Sequence, residues 1–85
     1  MSSLLEEVTG VIRELFEDDR IAVTESTSAP DVEGWDSLMH LNIIIAVEQR
    51  YRIRFSTAEI ARLKEPGQNV GSLLAAIRAK TGASA

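Results

Sequence analysis

The chain has 85 residues, 45% of them hydrophobic and 26% charged, enough for one small folded domain and no more. Such a domain hides only about 60–65% of its chain surface, which is expected to leave no room for both a core and a deep pocket of ~300–1,000 Å³. A net charge of −4 argues against a nucleic-acid partner, the apolar run at 43–47 is far shorter than the ~20 residues that span a bilayer, and the absence of cysteine removes disulfides, zinc-thiolate sites and thiol nucleophiles.

The start, Met1-Ser2-Ser3-Leu4-Leu5-Glu6-Glu7, lacks the basic opening of a secretory signal, so a reducing, cytoplasmic setting is expected. Leu4, Leu5, Val8, Val11, Ile12, Leu15 and Phe16 then recur at three- and four-residue steps. That spacing predicts an amphipathic helix over about 3–17, opened by a Ser3/Glu6 capping-box pattern. Residues 18–35 show no periodicity and are rich in turn-prone types, including Thr24, Ser26, Thr27, Ser28, Pro30, Asp31 and Gly34. This long loop is expected to anchor through Ile21 and Val23.

Asp36 is a good N-cap for a second long helix running to about residue 50 or 51. Tyr51, Ile53 and Phe55 alternate with Arg52 and Arg54, but no other segment offers a partner strand, so an extended connector is expected. Ser56 and Glu59 open a short helix at about 57–63, and Glu65-Pro66-Gly67 is a turn. Asn69 caps a last helix whose inner face carries Val70, Leu73, Leu74 and Ile77, with Gly82 as its stop and a frayed tail beyond. The expected fold is all-α: three main helices, one short helix and a long first loop, in a single domain over 1–85 that is ordered at about 3–80.

The second helix is unusual in carrying two apolar stripes. At roughly 100° per residue, Ile43, Ile44, Val47 and Tyr51 share a side with His40, which makes that side the core stripe. Leu38, Leu41 and Ile45 fall on another arc, bordered by Asn42 and Gln49. That arc either packs beneath the loop and the short helix or forms a docking patch for a partner protein.

Ser37 is the first residue of this helix, between the two arcs. A serine there ordinarily just serves the helix start. A phosphate on its hydroxyl would nevertheless be welcome, because backbone N–H groups and the positive end of the helix dipole face outward there. Asp36, Ser37 and His40 supply the residue types of a hydrolytic triad, but a triad also needs an oxyanion hole and a substrate cleft, which the chain lacks the mass to build. Asp36 and His40 alone do not make a metal site. Glu17-Asp18-Asp19 reads as a solvated helix end. Arg50, Arg52 and Arg54 form a basic strip with packed aliphatic stems or, alternatively, a contact for an acidic partner patch.

At Gly34-Trp35-Asp36-Ser37-Leu38 the sequence resembles an acyl carrier protein. The Asp-Ser-Leu motif opens the second helix after a long loop, and helix order and lengths resemble the family over about residues 3–80. Trp35 before the Asp is similar to carriers of polyketide and nonribosomal-peptide type. The resemblance implies that Ser37 bears a covalent 4′-phosphopantetheine drawn from coenzyme A, with Asp36 as the preceding acid of the attachment motif. It places Leu38, Met39, Leu41, Asn42 and Ile45 on the partner-facing side of the recognition helix. The implied function is a carrier, not an enzyme, that holds an acyl or aminoacyl cargo as a thioester. Its implied partners are a phosphopantetheinyl transferase, a loading ligase or acyltransferase and a downstream synthase or transferase, and it is expected to act as a monomer. In fatty-acid synthase carriers this helix is rich in Asp and Glu, whereas here its only acid after Asp36 is Glu48. That departure points to a dedicated carrier in a specialised lipid, polyketide or peptide-like pathway. The alternative is a cofactor-free helical interaction module.

Overall fold

The computed structural model describes residues 3–65 and 67–81, which form α1 (Leu4–Phe16), a short 3₁₀ turn (Ala29–Asp31), α2 (Ser37–Tyr51), α3 (Thr57–Leu63) and α4 (Val70–Thr81). No strand occurs among the described residues, and residues 53–56 are an extended connector as the alternation without a partner predicted. Pro66 of the expected turn, the Gly82 stop and the tail lie outside the described residues.

Side-chain caps set each helix start. Ser3 Oγ accepts from Glu6 N at 3.1 Å, and Asp36 Oδ1 accepts from Met39 N at 2.8 Å. Ser56 and Glu59 close a full capping box at 3.1 and 2.8 Å, and Asn69 Oδ1 accepts from Ser72 N at 3.0 Å. Each cap satisfies a backbone donor that the helix itself leaves unpaired. The backbone hydrogen bond to Ser56 and then the Lys80 ammonium at 2.9 Å hold the Glu59 carboxyl at about 2.

Two helices end where the spacing placed them, but without the usual stop residue. α1 and α2 close on Glu17 (φ 54) and Arg52 (φ 56), both left-handed, where glycine is the usual residue. At the first end, Asp18 N donates to the Arg13 carbonyl and Glu17 N to the Glu14 carbonyl. This is the paired bonding of a Schellman stop, which offsets the cost of a side chain at positive φ.

The core joins Val8 and Ile12 of α1, Ile43, Ile44 and Val47 of α2, Phe55 of the connector, and Val70, Leu73, Leu74 and Ile77 of α4. Each is under a tenth exposed, and each such side chain contributes ~1.5–3 kcal/mol on leaving water. The α1–α2 seam is tied at one end, where Tyr51 Oη donates to Glu7 Oε1 at 2.8 Å and Arg50 lies 3.6 Å from the same oxygen. α3 contributes no fully buried residue, and its Ile60 and Leu63 only rest on the core.

The long loop is held at four points. Phe16 and Trp35 rings meet at 6.1 Å, and Val23 packs on the core. Val70 N donates to the Thr27 carbonyl and Gly71 N to the Glu25 carbonyl, both at 2.8 Å, which staples the loop to the first turn of α4. A Cβ at Gly71 would lie 3.1 Å from that Glu25 oxygen, so a larger residue there requires the loop to give by a few tenths of an ångström. Ile21, expected as a second apolar anchor, is half-buried outside the core cluster and is tied through its backbone instead: its carbonyl accepts from Arg13 Nε at 2.9 Å.

Candidate functional site

The loop delivers the chain to α2 through consecutive turns. Trp35 N donates to the Val32 carbonyl and Asp36 N to the Gly34 carbonyl, with Gly34 at φ 89. Only glycine adopts that angle without strain, which is why Gly34 stands two residues before the cap. Asp36 then leaves the backbone extended (φ −98, ψ −172), its carboxylate is spent on Met39 N, and Ser37 becomes the first helical residue. Both Asp36 and Ser37 are exposed. The Ser37 side chain therefore meets solvent where the helix presents unpaired donors and its positive pole.

Along α2 the two predicted stripes separate cleanly. Leu38, Leu41 and Ile45 are 67%, 42% and 42% exposed, so this arc does not pack beneath the loop or α3. Met39 is half-buried against the core, and Asn42 is half-buried at the border between the stripes.

A cleft of about 590 Å³ opens beside Ser37, between the loop, the start of α2 and the α3–α4 link. Ile43, Ile44, Val70 and Leu73 form its apolar floor, and Ser28, Gln68 and Asn69 contribute polar wall. This overturns the expectation that so small a chain has no space for a pocket. The surface-to-volume argument counts what the core fills, whereas this space is left where a seven-residue helix and an irregular loop stand off from α2.

His40 lines the cleft one turn below Ser37. Burial lowers its pKa from 6.5, the Ile60 carbonyl opposes that shift and the Lys64 ammonium adds to it, so the ring is neutral at pH 7. His40 Nε2 and Trp35 Nε1 are buried with no hydrogen-bond partner among the described residues. The ring thus neither accepts from Ser37 nor is oriented by Asp36, and these three residues do not form the linked arrangement a triad requires. Among the described residues no group of three or more His, Asp or Glu side chains is placed to hold a metal.

The cleft was not legible in the sequence, because its walls include residues 26–30, 63–65 and 67–69, segments without periodicity. The glycine at 71, inside the first turn of the last helix, was the one signal that the loop comes close there.

No family model and no curated protein matches the chain. Among solved structures, the chain is similar to the solution structure of a holo acyl carrier protein from Geobacter metallireducens, at 38% identity and a TM-score of 0.80, over 92% of this chain and 85% of that one. That likeness covers nearly the whole of this all-helical chain, and with it the chain belongs to the acyl carrier protein family.

Proposed function

We propose that Ser37 carries a covalent 4′-phosphopantetheine and that the chain shuttles an acyl or aminoacyl cargo between enzymes. The observation that carries this reading is an exposed serine as first residue of α2, beside a carboxylate already committed as cap. The residues present fit the group: the helix start favours a phosphodiester, and no neighbouring side chain occupies the Ser37 hydroxyl. A phosphopantetheinyl transferase forms the bond from Ser37 Oγ to phosphorus and breaks the pyrophosphate bond of coenzyme A, releasing 3′,5′-ADP and the hydroxyl proton. Once attached, the arm supplies a thiol that holds cargo as a thioester.

The protein's own residues then provide presentation rather than chemistry. Leu38, Leu41 and Ile45, with Met39 and Asn42 at the edge of the arc, form the face met by the transferase, a loading ligase or acyltransferase and a downstream synthase or transferase. Tethering raises the effective concentration of cargo at each partner. The cleft beside Ser37 shelters a limited length of cargo on its apolar floor. Among the described residues no helix is long and apolar enough to cross a membrane; the proposed carrier works as a monomer in the cytoplasm. The near-absence of acids along α2, where Glu48 is turned to accept from Phe55 N at 2.8 Å, supports a specialised lipid, polyketide or peptide-like pathway.

Coexpression with a broad-specificity transferase, followed by intact mass measurement, tests the reading. One phosphopantetheine should be gained and the gain lost in Ser37→Ala. An unchanged mass in the folded protein refutes the carrier and leaves the cofactor-free interaction module.

A further inference from the structure

The opposite end of α2 carries a second surface, distinct from the cleft. Ile45, Glu48, Gln49, Arg52, Ile53 and Arg54 line a recess of about 440 Å³. Eight to fifteen residues at 1.5 Å each place it ~12–22 Å along the helix axis from Ser37. Its floor is apolar at Ile45, which is 42% exposed, and at half-buried Ile53.

The charges around this recess are uneven. Glu48, its one acid, is drawn inward by the Phe55 N–H. Arg50 next to it is paired with Glu7 and lies over the Tyr51 ring at 5.8 Å. Arg52 and Arg54 are exposed and make no ion pair or side-chain hydrogen bond among the described residues. The left-handed backbone at Arg52 turns the chain so that Ile53 N bonds the Glu48 carbonyl, and this fold-back brings both arginines beside Ile45. In a chain of net charge −4, two unpaired cations beside the apolar side chains of Ile45 and Ile53 run against the overall field.

We infer that this recess docks a protein surface of matching chemistry: an apolar side chain entering beside Ile45 and Ile53, rimmed by carboxylates that meet Arg52 and Arg54. The inference rests on the carrier reading, since such a contact ~12–22 Å from Ser37 fixes which way α2 lies on a partner enzyme. Rim charges of this kind set partner choice and encounter rate more than raw affinity. Partners that recognise acidic carriers through basic patches are disfavoured here by the same two arginines.

Two synthetic amphipathic helical peptides with one shared Leu/Phe stripe, flanked by Glu in one and by Lys in the other, test this on the intact chain. Net charge alone predicts preference for the Lys peptide. The inference predicts that the Glu peptide binds about fivefold more tightly, ~1 kcal/mol, at low salt. Amide shifts should centre on Ile45, Gln49 and Ile53, and the preference should shrink as salt rises. Arg52→Glu with Arg54→Glu should reverse it. Arg54→Glu alone, in the extended connector where no helix depends on it, should weaken it with helical content unchanged. Equal affinities, shifts centred elsewhere or an unaltered preference in either variant would overturn the inference. So would displacement of the peptide by anionic phospholipid vesicles, or self-association on light scattering that the double variant abolishes. Modification of Ser37 measured on the same preparation separates the two ideas: its failure removes the carrier reading, whereas modification with no peptide preference removes only this docking surface.

Discussion

α1 packs against both α2 and α4, and the facing side chains of these three helices are buried, while the loop and α3 bury only Thr27 and leave a cleft of about 590 Å³ beside α2. The contrast follows from regularity. Long helices with an apolar residue every three or four positions interlock, and a seven-residue helix beside an irregular loop cannot. The serine stands where the two regimes meet, on a helix held firmly by one side and bordered by open space on the other. A carrier needs that division: a rigid base for its attachment point, and room next to it.

Substitutions on either flank should separate the two. Ile12→Ala, at a fully buried position, should cost ~2–5 kcal/mol in a denaturant melt, a large part of what a domain of this size has. Leu63→Ala on α3 removes similar chemistry from a half-buried site and should cost less than ~2 kcal/mol. Equal losses at the two positions would erase the distinction.

Gly71→Ala probes the staple between the two regions. Its Cβ would crowd the Glu25 carbonyl at 3.1 Å, a strain of ~1–3 kcal/mol, against a gain of up to ~1 kcal/mol from helix propensity. A net loss is expected, together with faster proteolysis within residues 24–28. A stabilised variant would show that the loop yields at no cost.

A smaller effect is expected from His40. Because burial lowers its pKa below 6.5 in the folded chain, the unfolded chain takes up the proton first as pH falls. The contribution of His40 to stability is therefore whole above pH 6.5 and decays below it, and His40→Gln should flatten the melt's pH dependence in that range. An unchanged slope would mean that the ring is not desolvated in the cleft wall. The smallest effect on stability belongs to Ile45→Glu on the exposed arc. It should leave the melt within about 0.5 kcal/mol and still weaken transfer to partner enzymes. Unfolding would assign Ile45 to the core.

How much of this was legible from the chain depends on how local the cause is. Ser3, Asp36, Ser56 and Asn69 all act within three residues of themselves, so each helix start could be read directly. The two stripes of α2, and which of them faces the core, follow from helical angle alone, but whether the second stays exposed depends on how the loop and α3 pack, and the spacing left that open. The stops at Glu17 and Arg52 lacked the glycine that usually marks them. The 3₁₀ turn at Ala29–Asp31 was missed because three residues carry no period, although Ser28 N donating to Asp31 Oδ2 at 3.0 Å is a local pattern of the same kind as the caps. The cleft, and the placement of His40 and Trp35 in its wall, arise from segments distant in sequence.

The most direct test is to digest the coenzyme A–treated protein and locate the added mass by tandem mass spectrometry. A single phosphopantetheine on Ser37, with Ser26 and Ser28 across the cleft unmodified, is the predicted result. The group on another serine, or on none while helical content is intact, would contradict it.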